Sequence, residues 1–294
     1  MTNFLQGIRE LNENGTPLCE ISYRGSFSVA KTFDCGQCFR FDKVEGSHHE
    51  VEFSGVAYRR AVSFAQDGDK LYVYGATPRD CEDIWVKYLA LDEDYDAIDR
   101  DILSRSDSPA LRDAVEYGRG IRILRQEPWE AVCSFIISQN NNIPRIKKII
   151  AVLAEKYGEP LGGGNFAFPT AKSLADAGVD ELFAMRTGFR AKYIADAAER
   201  VSDGRLDLAD LPESTGACVK KLCEVKGIGP KVALCSLLFG FGRYDAFPID
   251  VWIRRVMEKY FPADFTPQSL GSFAGIAQQY LFFYERYLGG SNQT

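Results

Sequence analysis

The hydrophobic period of this 294-residue chain changes near Pro78, and no other feature constrains the fold as much. From Leu18 to Gly75, short stretches rich in aromatic and β-branched residues alternate with polar ones, and turn residues separate them at Glu45-Gly46 and Asp67-Gly68-Asp69. This spacing predicts an antiparallel sheet of several strands. After Pro78 the apolar residues recur at helical spacing to the end of the chain.

Turn and cap residues divide the helical part. Pro128 fits the first turn of one helix, whereas Gly158 and Gly204 end two others. Gly162-Gly163-Gly164 is predicted to be a flexible loop. The acidic run from Leu91 to Asp101 predicts a solvated face, because like charges at this density resist burial.

These patterns predict an α+β fold with two domains. Residues 1–117 would form an antiparallel sheet with flanking helices, and residues 118–294 an all-helical domain. The net charge of −6 argues at first against a nucleic-acid partner. However, residues 1–117 have 13 basic and 22 acidic side chains, a net charge of −9, while residues 118–294 have 22 and 19, a net charge of +3. Because a partner feels the charge of one face, a basic groove on an acidic protein is possible.

The sequence predicts neither a signal peptide nor a membrane-spanning helix. Residues 1–7 lack the basic segment and apolar stretch of a signal peptide. The longest apolar stretches, such as 232–238, fall far short of the ~20 residues of a membrane helix. Most of the eight cysteines lie in apolar runs, where a reduced thiol packs as a small hydrophobe. We therefore expect a soluble intracellular protein without a disulfide framework.

The segment from Val225 to Ala233 lies between two amphipathic helical patterns and contains Gly227-Ile228-Gly229. Glycines at a helical hairpin permit close approach of another backbone, and the free N–H groups of the second helix can bind phosphate. A plain turn between two helices, without a ligand, is the alternative. Lys231 falls in the first turn of the second helix, and its amine is a candidate nucleophile.

An aspartate follows the hairpin lysine by nineteen residues. Phe247-Pro248-Ile249-Asp250 places a carboxylate directly ahead of the amphipathic run 251–257. By itself Asp250 is best explained as a helix N-cap. Capping and catalysis are compatible, because a cap holds the carboxylate at one position.

These motifs resemble the helix-hairpin-helix (HhH-GPD) DNA glycosylases, and among them the 8-oxoguanine DNA glycosylases, over nearly the whole chain. The resemblance implies a twisted, TBP-like sheet domain in residues 1–117 and a helix-hairpin-helix glycosylase domain in residues 118–294. It also implies that Lys231 is the Schiff-base nucleophile and Asp250 the catalytic carboxylate of a bifunctional DNA glycosylase and abasic-site lyase.

The family resemblance also implies a pocket for the flipped base. The segment around Gly36 resembles the family's Ser-Gly-Gln-Ser-Phe-Arg-Trp stretch, in which the glycine carbonyl accepts the N7–H of the oxidised guanine. Cys235 and Phe282 would cover the two faces of the base, and Gln278 its pairing edge. Taken singly, Cys235 and Phe282 would be core residues. Cys35 and Cys38 form a C-x-x-C pattern, but no second Cys/His pair at a suitable spacing supports a metal or redox site.

A third group would contact the DNA. The Ser134-to-Ile146 segment resembles the family's Ser-Asn-Asn-Asn-Ile-x-Arg element, in which Asn140 would fill the gap left by the flipped nucleotide and Arg145 would read the orphaned cytosine. Phe189 would wedge into the base stack and Arg190 contact the cytosine. A polar loop between helices is the alternative for the first element. The remaining members would contact the DNA backbone: Gly227 and Gly229 of the hairpin, and Trp252, which stands where eukaryotic members have histidine.

The implied reaction is release of 8-oxoguanine opposite cytosine from duplex DNA, followed by strand cleavage 3′ to the site by β-elimination. It needs no metal or redox cofactor, and no iron–sulfur cluster is expected because no cysteine follows Cys235. We expect a monomer that acts on damaged double-stranded DNA, has no membrane partner and is located with the DNA. Two alternatives are open: a related glycosylase for alkylated or oxidised bases, and a non-catalytic helix-hairpin-helix DNA-binding protein.

Overall fold

The computed structural model describes residues 4–13 and 15–289 and begins with an antiparallel sheet. The strands are β1 (Leu5–Glu13), β2 (Thr16–Tyr23), β3 (Phe41–Lys43), β4 (Val51–Ala57), β5 (Arg60–Asp67) and β6 (Lys70–Tyr74). They lie in the order β1-β2-β6-β5-β4-β3, and every neighbouring pair is antiparallel. The predicted sheet is thus confirmed.

The boundaries of the sheet differ from the prediction at its first strand. β6 coincides with the predicted Lys70-to-Tyr74 strand, and the turn before it contains Gly68 with a φ of +58°. In contrast, the sheet begins at Leu5 rather than at Leu18. No described residue of β1 is fully buried, so this edge strand lacks the marked alternation that reveals a half-buried strand.

Helices make up most of the rest of the chain. They are α1 (Val29–Asp34), α2 (Pro78–Asp80), α3 (Val86–Tyr88), α4 (Tyr95–Ser104), α5 (Pro109–Gly118), α6 (Pro128–Ser138), α7 (Ile143–Tyr157), α8 (Ala171–Leu182), α9 (Ala191–Ser202), α10 (Thr215–Leu222), α11 (Pro230–Phe241), α12 (Val251–Tyr260) and α13 (Ala274–Gly289). In the described part of the chain, no helix is both long enough and apolar enough to span a membrane.

Cap chemistry set the helix ends as predicted, and the predicted glycine loop forms the turn of a short hairpin. Pro128 is the first residue of α6, and Gly158 is the C-cap of α7. Residues 162–164 turn this hairpin between β7 (Pro160–Gly162) and β8 (Asn165–Phe166). All three glycines there have positive φ, a conformation that glycine adopts without steric cost.

The acidic run is also more structured than its charge suggested. Asp99 on α4 is 5% exposed, and its carboxylate accepts a hydrogen bond of 2.9 Å from the Tyr280 hydroxyl. Burial raises the pKa of Asp99, and the Tyr280 hydrogen bond opposes that rise. The prediction of a solvated face is therefore wrong for this residue, because a paired carboxyl group tolerates burial.

Two hydrophobic cores organise the molecule. One lies under the sheet and includes Phe64 and Trp85, and the other is formed by the helices. Buried residues of α4 and α5 belong to the helical core. The predicted division between residues 117 and 118 stays a prediction. The fully buried Arg122 donates to the carbonyls of Ser26, Ala90 and Glu93 and so fastens the segment after α5 to earlier parts of the chain.

Candidate active site

The hairpin between α10 and α11 is built as its sequence predicts. Gly227 has a φ of +83°, and a Cβ at this position would lie 2.2 Å from the ring of Tyr193. Gly229 is the N-cap of α11, and a Cβ there would meet no atom within 4 Å among the described residues. No described side chain caps α11, so no side-chain acceptor satisfies the first N–H groups of this helix. Such a helix start suits an anionic ligand.

Asp250 caps the next helix, as predicted. Its Oδ1 accepts a hydrogen bond of 2.8 Å from the backbone N–H of Ile253, the third residue of α12. This bond fixes the carboxylate while leaving it only partly buried. Lys231, in the first turn of α11, is likewise partly buried.

One cavity brings together the six predicted catalytic and base-pocket residues. It has a volume of about 80 Å³, and its lining is completed by Phe135, Phe239, Pro248 and Gln279. The six are Lys231, Asp250, Gly36, Cys235, Gln278 and Phe282. They come from α11, α12, α13 and the segment after α1, which are distant in sequence. The volume is well below the ~300–1,000 Å³ of typical ligand clefts, so the site is partly closed in this state.

Cys235 forms a neutral wall of this cavity. Burial raises the pKa of its thiol to about 11, Lys231 lowers it and Asp250 raises it. The thiol is therefore protonated at neutral pH and packs as a small apolar group. Lys231 and Asp250 line the same cavity as this thiol.

The last helix supplies an unsatisfied polar group. Gln278 is 5% exposed, and its Oε1 has no hydrogen-bond partner among the described residues. Phe282 follows four residues later, on the same face of α13. A buried acceptor without a partner costs free energy, and a ligand with N–H donors would satisfy it.

Two glutamines that the sequence analysis did not single out hold the Gly36 segment in place. The Gln279 side chain donates to the Cys35 carbonyl at 2.9 Å. The buried Gln37 donates to the Thr32 and Arg122 carbonyls. The sequence signal for this role was Gln37, a long polar side chain directly after Gly36 in a motif that was interpreted for its glycine.

The C-x-x-C pattern lies in the same segment. The thiols of Cys35 and Cys38 are both buried and unoxidised. Burial raises the pKa of Cys35 to about 12 and that of Cys38 still further. Both are therefore unreactive core thiols.

A second cluster lies beside the cavity. Asn140 is exposed, with a φ of +48°, in the turn between α6 and α7, and Arg145 is exposed in the first turn of α7. Phe189 is 45% exposed and packs edge-on against Tyr193, which also contacts Gly227. An exposed aromatic side chain thus lies next to the hairpin.

Arg190 has a different environment from its neighbours. Its side chain is buried and donates to the carbonyls of Thr187, Gln139 and Asn140. Burial, followed by the nearby Arg145, lowers the pKa of Arg190. In this state the Arg190 guanidinium is hydrogen-bonded to the Asn140 turn and does not extend outwards to contact a base.

Trp252 is 49% exposed in the first turn of α12, two residues after Asp250. The guanidinium of Arg255 lies 5.6 Å from its ring centroid. Val251 is also exposed, at 65%. The start of α12 therefore presents apolar groups next to the cavity.

Comparison with known proteins explains this arrangement. The family model of the 8-oxoguanine DNA glycosylase N-terminal domain matches residues 21–132, and that of the HhH-GPD superfamily base excision DNA repair protein matches residues 133–270. The N-glycosylase/DNA lyase OGG1 of Arabidopsis thaliana is 29% identical over 94% of this chain and 83% of its own.

Solved structures agree over a greater length. MBOgg1 in complex with a low-affinity DNA ligand is 39% identical, with a TM-score of 0.86, over 97% of this chain and 100% of its own. The 8-oxoguanine glycosylase/lyase of Clostridium acetobutylicum, in complex with double-stranded DNA containing cytosine opposite 8-oxoguanine, is 34% identical, with a TM-score of 0.85, over 97% and 99%.

The hairpin and the domain order define a base-excision repair protein of the HhH-GPD superfamily. The similarity to the two solved structures extends over almost the full length of this chain and of theirs. Within that superfamily the chain belongs to the 8-oxoguanine DNA glycosylase family, so it is an enzyme of the DNA glycosylase/lyase class.

Proposed function

We propose that this enzyme excises 8-oxoguanine from duplex DNA, with preference for lesions opposite cytosine, and then cuts the strand through a Schiff base. The observation that carries the proposal is the single cavity in which Lys231 and Asp250 meet four residues suited to enclosing a base. The enzyme would act as a monomer where the DNA is located.

The lining of the cavity suits a flipped guanine derivative in polarity. Cys235 and Phe282 offer apolar faces for stacking, and the unpaired Oε1 of Gln278 can accept from the N1–H and N2–H groups of guanine. Because the cavity is small, its walls must move apart as the base enters. Flipping a base costs a few kcal/mol, which contacts in the pocket would offset.

Catalysis would use the two polar groups at the cavity. As the N-glycosidic bond breaks, positive charge develops on the sugar, and the fixed Asp250 carboxylate stabilises it. The Lys231 amine bonds to C1′ as the base departs, and opening of the sugar ring yields a protonated imine. The imine acidifies the C2′ proton, and loss of that proton expels the 3′ phosphate.

The DNA would be held by the surface around the cavity. The uncapped N–H groups at the start of α11 suit a phosphate, and Gly229 leaves room for the backbone to approach. Phe189 and Asn140 are exposed and would supply the wedge, and the exposed Trp252 would contact the DNA near Asp250. The weak net charge of residues 118–294 means that DNA bending and local contacts dominate affinity.

Base release from a set of lesion duplexes tests the substrate. We expect rapid release from a duplex with 8-oxoguanine and little from duplexes with 3-methyladenine or thymine glycol, since the latter bases lack the guanine edge that Gln278 faces. High-performance liquid chromatography of the freed base measures this. Activity confined to 3-methyladenine or thymine glycol would instead favour a related glycosylase, and binding without release would favour a non-catalytic DNA-binding protein.

The base opposite the lesion gives a second prediction. We expect excision to be fastest when cytosine is opposite the lesion, and we expect Arg145→Ala to reduce that preference. Arg145 is exposed and available to contact the base, whereas the Arg190 guanidinium already donates hydrogen bonds to backbone carbonyls. One lost base contact corresponds to roughly 1–3 kcal/mol of discrimination. Single-turnover rates opposite each of the four bases measure it. If the unaltered enzyme excises 8-oxoguanine at the same rate opposite all four bases, Arg145 does not recognise the opposite base.

A further inference from the structure

Arg286 extends the stripe of α13 that faces the cavity. Gln278, Phe282 and Arg286 are spaced four residues apart, so they share one face of the helix over about 12 Å. Helical side chains lean towards the N-terminus, which directs Arg286 back towards Phe282. The four-residue period that links Gln278 to Phe282 therefore continues to Arg286.

The guanidinium of Arg286 lies at the Gly36 edge of the cavity. A Cβ on Gly36 would lie 3.3 Å from Nη1 of Arg286 and 3.7 Å from Cε1 of Phe282. This Nη1 is buried and has no hydrogen-bond partner among the described residues. A cation near the end of α13 is favoured by the helix dipole, but that benefit does not require a buried, unpaired N–H.

The free polar atoms at the two ends of the stripe are complementary to one lesion. Gln278 offers an acceptor and Arg286 a donor. If the pairing edge of guanine faces Gln278, its five-membered ring points to the Gly36 end. There 8-oxoguanine presents N7–H and the 8-oxygen, whereas guanine presents a bare N7 and C8–H. An arginine N–H matches the 8-oxygen and has no partner on C8–H.

We propose that Arg286 is a specificity-determining residue that donates a hydrogen bond to the 8-oxygen of the flipped base. This inference rests on the proposed function and deepens it by assigning a contact to the atom that distinguishes lesion from guanine. Arg286 lies just beyond the Gly36 and Phe282 walls of the cavity. Separation of these walls as the base enters exposes Nη1 to the pocket.

The test measures binding in a Lys231→Gln background, in which excision is expected to be too slow to consume the duplex during the measurement. Three otherwise identical duplexes carry 8-oxoguanine, guanine or a tetrahydrofuran abasic analogue at one position. Arg286→Met, which keeps the aliphatic stem, is expected to weaken 8-oxoguanine binding roughly 10- to 100-fold, the range for a hydrogen bond to a charged group. Affinity for the other two duplexes should stay unchanged, and Arg286→Lys should restore part of the loss.

Two controls separate recognition from folding. Arg205→Met makes the same change at an exposed residue paired with Asp203 and should leave all three affinities unchanged. In the active enzyme, which retains Lys231, Arg286→Met should slow excision of 8-oxoguanine. It should not slow strand cleavage at a preformed abasic site, because no base occupies the pocket there.

The outcomes distinguish this inference from the proposed function. If the Lys231→Gln protein itself shows no preference for 8-oxoguanine over guanine, both the proposed function and the inference about Arg286 are overturned. If it shows the preference and Arg286→Met retains it, the inference alone is overturned. An equal loss for all three duplexes would also overturn it, because it would assign Arg286 a structural role.

Discussion

Lys231→Gln is expected to abolish borohydride trapping of the enzyme on a duplex with 8-oxoguanine opposite cytosine. Glutamine keeps a polar side chain at the start of α11 but has no nucleophilic amine, so no imine can form for the hydride to reduce. Excision should fall by roughly 10³-fold or more, the scale expected when a covalent nucleophile is removed. Denaturing gel electrophoresis of the adduct measures trapping, and single-turnover assays measure excision.

A matched lysine elsewhere provides the control for this prediction. Lys172 is exposed on α8 and pairs with Asp176 at 2.7 Å, far from the hairpin in sequence. Lys172→Gln makes the same chemical change and should leave trapping at the unaltered level. An adduct that persists in Lys231→Gln would identify another amine as the nucleophile and contradict the proposed mechanism.

Structure that depends on near neighbours was predictable from the sequence. Pro128, Gly158 and Asp250 take the predicted cap positions because cap chemistry acts within one helical turn. Strand β6 was predicted for a similar reason, since its alternation reports one buried face. β1 escaped prediction because an edge strand that buries little has a weak pattern.

Features that depend on distant partners could not be read in this way. Asp99 is buried because Tyr280, 181 positions away, donates to it. Arg190 is occupied by a carbonyl 51 positions away. Neither partner leaves a periodic signal. The cavity was predicted only because a family resemblance linked distant motifs, whereas its partial closure and the unpaired atoms at its edge required the structure.

The dual role of Asp250 makes its replacement by asparagine informative. Asn caps helices about as well as Asp, so Asp250→Asn should retain the bond from the Ile253 N–H and leave the melting temperature nearly unchanged. The negative charge is lost, however, and with it the stabilisation of the developing cation. We expect excision to slow by roughly 10²–10³-fold, the scale for loss of one preorganised electrostatic group.

Matched variants separate the two roles of this residue. Asp250→Ala removes both charge and cap and should additionally destabilise the fold by about 0.5–2 kcal/mol. Asp94 caps α4 through the same kind of bond, accepting from the Ala97 N–H at 2.9 Å, so Asp94→Asn makes the same change away from the cavity and should leave excision intact.

Affinity for an 8-oxoguanine duplex completes the test, because it separates binding from chemistry. In Asp250→Asn it should change far less than the excision rate, since the carboxylate acts on charge that appears only as the glycosidic bond breaks. If excision by Asp250→Asn proceeds at the unaltered rate, the carboxylate serves as a cap alone. The positive charge on the sugar would then have to be stabilised by another group of the enzyme–DNA complex, such as a phosphate.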